Sequence, residues 1–146
     1  MSGTTNIPCV YTIIRKGDKF AFLMREHTGF LDGKYTVPAG HVEGSENFRQ
    51  AAIRETFEEI GVTVRPEDLK QVFTTHRNCG DHVRVDVYFE AIAWKGEPIN
   101  MEPERHAKLE WFPKDNLPYD DIMNFQAFAL RAIDRGEQYG EFGWTE

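Results

Sequence analysis

Residues 46–60, Glu-Asn-Phe-Arg-Gln-Ala-Ala-Ile-Arg-Glu-Thr-Phe-Glu-Glu-Ile, constrain this chain more than any other stretch. They contain no Gly or Pro. They follow Ser45, whose hydroxyl suits an N-cap, and stop at Gly61, which can take the left-handed backbone that closes a helix. The spacing predicts a helix over Glu46–Ile60. At about 100° per residue, Ile53, Phe57 and Ile60 gather on one side, a stripe expected to face a core. Glu55, Glu58 and Glu59 gather opposite it within about 100° of arc, because positions three and four apart are neighbours on a helix. Arg54 lies just off that arc. Glu46 lies about 180° from Glu55 at the same period, which suits a structural role.

Three carboxylates on less than two turns repel one another by a few tenths of a kcal/mol per pair. They also lie toward the helix C-terminus, where the macrodipole disfavours anions. A solvated acidic face is the ordinary explanation for such a cluster. Two features weigh against it. Ala51 and Ala52 share the side of the glutamates, so long side chains are missing where another element could approach, and the preceding connection supplies Gly40 and Gly44. A hard divalent cation suits this surface better. Magnesium takes oxygen ligands and bridges carboxylates to substrate phosphates.

The rest of the chain reads as strands with one further helix. Cys9–Arg15 and Lys19–Arg25 form a hairpin across Lys16-Gly17-Asp18, followed by a loop over His27–Lys34 and a short strand at Tyr35–Val37. Pro38–Ser45 reads as an irregular connection. Strands are expected at Val62–Val64, Gln71–His76, Val83–Trp94 and Leu109–Phe112. In the third of these, Val83, Val85, Val87 and Phe89 alternate with Arg84, Asp86 and Tyr88, which predicts one buried face. Asp120–Arg135 has helical periodicity, Gly136 ends it, and an aromatic tail follows over Tyr139–Trp144. The expectation is one domain over residues 1–146, of α+β class, with a mixed sheet covered by helices.

A net charge of −7 argues against a nucleic-acid polymer or an anionic membrane as partner. It leaves room for a small phosphorylated ligand, since a metal ion inverts the local sign of an acidic site. No apolar run approaches the ~20 residues of a membrane span. Met1-Ser2-Gly3-Thr4-Thr5-Asn6 lacks the basic start and apolar stretch of a secretory signal, so the cytoplasm is the expected compartment. Cys9 and Cys79 are in no metal-ligand spacing and are expected to be reduced thiols, Cys79 in an exposed turn. The five histidines show no zinc spacing.

Residues 40–62 resemble the Nudix box, G-x5-E-x7-R-E-U-x-E-E-x-G-U, where U is a bulky aliphatic residue. Gly40, Glu46, Arg54, Glu55, Glu58, Glu59, Gly61 and Val62 match in identity and spacing, and Thr56 in the first U position is the single departure. The resemblance implies an α/β/α sandwich with a central mixed sheet. It also implies a hydrolase that uses Mg²⁺ (or Mn²⁺) to cut a phosphoanhydride in a nucleoside diphosphate-X compound. The MutT-like reading is a nucleoside triphosphate or modified nucleotide. The alternatives are ADP-ribose, a dinucleoside polyphosphate, or a Nudix-fold module that binds a nucleotide without cutting it.

By the same resemblance Glu55, Glu58 and Glu59 ligate the metal, Glu55 can also serve as general base, Arg54 orients a carboxylate, and the Ala39 carbonyl is a further ligand. Asn100–His106 is similar to a stretch that supplies one more carboxylate, with Glu104 the first choice and Glu90 the second. Arg25 resembles an arginine on substrate phosphate, and Asn124 an asparagine that hydrogen-bonds the base. Gly40 gives the backbone access to substrate, and Phe30, Tyr35 and Tyr119 are candidates to stack on the base. Many relatives dimerise, so a homodimer is possible.

Overall fold

Alternation along the first strand decides what lies above and below the sheet. In a computed structural model of the protein, which describes residues 5–145, β1 (Asn6–Lys16) sends Cys9, Tyr11 and Ile13 to one face and Val10 and Ile14 to the other. Residues 1–4, part of the stretch scanned for a signal, lie outside the described residues, as does Glu146. All five of those side chains are buried, so the sheet is covered on both faces.

β1 turns back through Gly17, at φ 62°, into β2 (Lys19–Arg25). After β3 (Tyr35–Thr36) and β4 (Ala39–His41) comes α1 (Phe48–Ile60), then β5 (Leu69–Asn78), β6 (Val83–Ala91), β7 (His106–Pro113), α2 (Asn124–Asp134) and β8 (Tyr139–Phe142). The strand order is β3-β2-β1-β6-β5-β8, with β4 also on β1 and β7 also on β2. β1 and β6 run parallel, as do β5 and β8, and the other pairings are antiparallel. α2 closes the face carrying Tyr11, Phe22 and Phe73, while α1 closes the face carrying Val10, Ile14 and Val87. This is the expected α/β/α sandwich around a mixed sheet.

Several local expectations are corrected. Pro38–Ser45 is not wholly irregular, because Ala39–His41 pairs with Cys9–Tyr11 of β1. Val62–Val64 is no strand beyond a single bridge from Thr63 to Lys95. The helix starts later than predicted. Asn47, not Ser45, is the N-cap: its Oδ1 accepts the Gln50 N–H at 2.9 Å while Gln50 Oε1 accepts the Asn47 N–H at 2.9 Å. That reciprocal pair satisfies two orphan donors at once, which a hydroxyl two residues earlier cannot do. Glu46 is therefore outside the helix. The second helix likewise begins at Asn124, after a 3-10 turn over Tyr119–Asp121.

The orientation of α1 is the main correction. Its buried residues are Ala51, Ala52, Thr56, Glu59 and Ile60; Ile53 is half-buried, and Phe57 is 53% exposed. The predicted apolar stripe is thus turned partly to solvent. Small residues bring the helix close to the sheet and let Glu59 reach inward. The alternation in β6 also has a different meaning from the one expected. Its polar side is covered too, with Asp86 and Tyr88 fully buried, because α2 and the aromatic cluster lie over it. Trp144 in the tail docks by donating its indole N–H to the His76 carbonyl at 2.9 Å. No described helix is long and apolar enough to cross a membrane.

Candidate active site

Glu59 and Glu55 lie one turn apart on the inner side of α1. Glu59 is 8% exposed, accepts the Ala39 N–H on Oε1 at 3.1 Å, and has no ion pair among the described residues. Burial first, and then the charge of Glu55, pushes its carboxyl well above the ordinary range. Burial also raises Glu55, against the pull of Arg54. A buried and a half-buried acid that feel each other's charge call for a proton or a cation between them.

Arg54 holds this arrangement from the side. Its Nε donates to Glu46 Oε2 at 2.6 Å and its Nη1 to Glu55 Oε1 at 2.7 Å, while Nη2 reaches the His41 carbonyl at 3.1 Å. Glu46 therefore has the structural role expected of it, as the anchor of Arg54. Glu58 is farther out, with a 49% exposed side chain 3.4 Å from Arg54 Nη1. Gly40 has a steric reason: a Cβ there would fall on the Glu55 carboxyl group.

These carboxyls open into a cleft of about 750 Å³ lined by residues of β1, β4, β5, β6 and the start of α2. Arg25, Ala39, Gly40, Glu55, Glu59 and Asn124, all proposed from sequence, line it together. Arg25 is set by donating Nε to the Phe30 carbonyl at 2.8 Å and Nη2 to Thr28 Oγ1 at 3.0 Å, with Phe30 itself 60% exposed at the rim. Arg105 stands near enough to lower the Arg25 pKa, after the effect of burial.

Other candidates lie elsewhere. Glu104 is exposed and does not line the cleft. The acid of that loop which faces the helix is Glu102, whose charge is felt by Glu59 and whose Oε1 is buried without a partner. The loop is placed this way because the Met101 N–H bonds the Glu59 carbonyl at 3.0 Å. Glu90 pairs with Arg15 at 3.7 Å outside the cleft. Tyr35 is 6% exposed with its hydroxyl on Glu110 at 2.8 Å, and Tyr119 stacks under Arg131, so neither is free to hold a base in the cleft.

Sequence reasoning missed the floor of the cleft. Arg77 donates to Asp86 at 2.6 Å and to the Tyr11 hydroxyl at 3.1 Å, and its guanidinium lies 3.6 Å over the Phe125 ring. Arg84 and His41 lie beside it. The signal was available in the alternation of Arg84 and Asp86 along β6, once that polar face is taken as covered.

A divalent cation fits this donor set. Glu55 and Glu59 are adjacent oxygen donors with no cation on Glu59, and magnesium keeps several waters, so two carboxylates suffice to seat it. Among the described residues no three His, Cys, Asp or Glu side chains form a complete cage.

The model of the NUDIX domain family matches residues 5–133. The chain belongs to the NUDIX family. Among its relatives, the NAD-capped RNA hydrolase NudC of Shigella dysenteriae is 29% identical over 76% of this chain and 40% of the relative. The protein of the same name from Escherichia coli is 28% identical over the same shares. This NUDIX chain thus spans less than half the length of those relatives. Among solved structures, the MutT NUDIX hydrolase of Burkholderia pseudomallei superposes with a TM-score of 0.77 at 24% identity, covering 87% of this chain and 97% of the other. The MutT protein of Methanosarcina mazei gives 0.77 at 19%, covering 92% and 97%. At these identities the structures speak for the NUDIX fold.

Proposed function

We propose that this protein is a Mg²⁺-dependent pyrophosphohydrolase that cuts a phosphoanhydride in a nucleoside diphosphate-X substrate, with a nucleoside triphosphate or modified nucleotide as the first substrate class. One observation carries the reading. A single cleft holds the half-buried Glu55, the buried Glu59 and two arginines, Arg25 and Arg105, neither of which makes an ion pair among the described residues. In a chain of net charge −7, unpaired cations beside paired anions suit a metal-bound polyanion.

Glu55 and Glu59, with the Ala39 carbonyl and Glu58 at the margin, are the groups that would hold the ion. When bound, the metal acidifies a water and neutralises charge on phosphate oxygens. Glu55 is the candidate acceptor for the proton of the attacking water, since burial raises the proton affinity of its carboxyl. Arg54 fixes the rotamer of Glu55, so it acts through that carboxylate. Arg25 and Arg105 bind the diphosphate, Gly40 lets it approach the backbone, and the Asn124 amide hydrogen-bonds the base. Free Cys9 and Cys79 suit a reducing cytosol.

A second reading, cleavage of a dinucleotide or of ADP-ribose, is favoured by the NudC likeness. The test is a nucleotide panel with Mg²⁺ and products resolved by chromatography. Pyrophosphate from nucleoside triphosphates is expected, abolished by a chelator. AMP from ADP-ribose or NAD would select the second reading. Inactivity across the panel with either Mg²⁺ or Mn²⁺ would sink both and favour a module that binds without cutting.

A further inference from the structure

Arg84 is the charge in the cleft that cutting a diphosphate leaves unused. It stands near the start of β6, on the face that floors the cleft beside Asp86. Its Nε donates to His82 Nε2 at 3.1 Å, its Nη1 reaches Cys9 Sγ at 3.3 Å, and the same Nη1 lies 3.0 Å from His41 Nε2. None of these three partners is a carboxylate. The surrounding carboxylates are committed elsewhere: Asp86 to Arg77 at 2.6 Å, Asp81 to His82 Nδ1 at 2.7 Å, and Glu43 toward Arg54 at 3.9 Å. The Nη2 edge makes no hydrogen bond among the described residues. A part-buried guanidinium is thus left with a net charge and an open edge, a costly state unless a ligand answers it.

β4 divides this charge from the metal-binding pair. Gly40 abuts Glu55, whereas the next residue, His41, faces Arg84, since neighbours on a strand point to opposite sides. A group bound at Arg84 is therefore separate from the phosphates held near Glu55, Glu59 and Arg25. We propose that Arg84, with His41 beside it, forms a second anion subsite that takes a phosphate or carboxylate carried by the substrate outside its diphosphate. This rests on the reading that the cleft binds a nucleoside diphosphate-X compound. It narrows the substrate to compounds whose remaining part is itself acidic, because a neutral moiety would leave the guanidinium uncompensated.

Matched pairs test it. NADPH against NADH adds one phosphate, and UDP-glucuronate against UDP-glucose replaces a neutral group by a carboxylate. Binding to the full chain is measured by calorimetry with Mg²⁺, in a Glu55→Gln background that suppresses turnover. The acidic member of at least one pair should bind about tenfold or more tightly, the scale of a charge-assisted hydrogen bond. Which pair responds identifies phosphate or carboxylate. Adding Arg84→Met should erase the preference and leave the neutral member's affinity within about twofold, well under the tenfold step of 1.4 kcal/mol. Arg84→Lys keeps the charge without the fork and should retain about threefold, which supplies the test if the Met variant misfolds. Equal binding within both pairs, or a preference that survives Arg84→Met, overturns the subsite alone. Failure of all four compounds, and of a nucleoside triphosphate, to bind both the Glu55→Gln variant and the wild-type chain overturns the nucleoside diphosphate reading beneath it.

Discussion

The two helices cover opposite faces of one sheet with different chemistry. α2 lays Phe125, Ala127, Ala129, Leu130 and Ala132 on the face that carries Tyr11, Phe22 and Phe73. α1 lays Ala51, Ala52, Thr56 and Ile60 on the other face, and among them the carboxylate of Glu59, while Phe57 stays in water. α2 gains the hydrophobic free energy of large buried side chains. α1 gives up part of that gain to bring its backbone near β4 and to hold two acids where a cation can join them. One helix stabilises the sandwich, and the other uses part of that stability to keep ionisable groups out of water.

The sharpest way to break this contrast is Glu59→Gln. If Glu59 belongs to the metal site, kcat should fall by about 10²–10⁴. Thermal stability without divalent ions should move the other way. The folded protein holds the Glu59 proton more tightly than the unfolded chain does, so this group's contribution is present at acid pH and is lost as pH rises past the ordinary carboxylate range. The Gln variant escapes that loss. Its metal-free Tm should exceed the wild type's near neutral pH and converge with it near pH ~4, close to the ordinary Glu pKa. A variant less stable than wild type at neutral pH, measured by calorimetry in a chelator, would mean that Glu59 is a structural residue.

The converse change is Leu130→Ala, on the covering helix. Leu130 is 3% exposed within the aromatic cluster, so truncation should cost about 2–5 kcal/mol by denaturant titration. The folded fraction should keep its kcat. Loss of turnover without loss of stability would show that α2 takes part in the chemistry. Smaller again is Glu46→Gln, which removes the anchor of Arg54 while leaving Glu55 and Glu59 intact. By analogy with residues that orient metal ligands, affinity for Mg²⁺ should weaken by about 10–100-fold, read by titrating the metal in the activity assay.

How much of this was legible follows from the same contrast. α2 obeys the rule that apolar periodicity marks the buried side, so its existence and face could be read directly. α1 breaks the rule at Phe57 and Glu59, and reading it by periodicity rotates its buried side away from the true one. The identity and spacing of the glutamates survived that error because the resemblance depends on spacing and not on which way the helix faces. Arg84 could be read as a site residue only if the polar face of β6 was taken as covered, and Arg77 not at all. Their partners, His41, Cys9 and Tyr11, come from strands distant in sequence, and only the register of β1 with β4 and β6 brings them together. The sequence offers Glu104 and Glu90 but not Glu102, because it cannot tell which way a loop turns around Pro103.

The smallest expected effect is on the residue that periodicity placed in the core. Phe57 is 53% exposed, so most of its ring already meets water in the folded state, and Phe57→Ala forms no closed cavity. Its cost should fall within about 0.5 kcal/mol, the usual range for surface positions. The high helix propensity of Ala offsets part of the lost contact. The test is a denaturant titration of Phe57→Ala beside Leu130→Ala, at equal m-value. Were the two variants destabilised alike, α1 would be packed on its apolar stripe after all, and Glu59 would be turned away from the cleft.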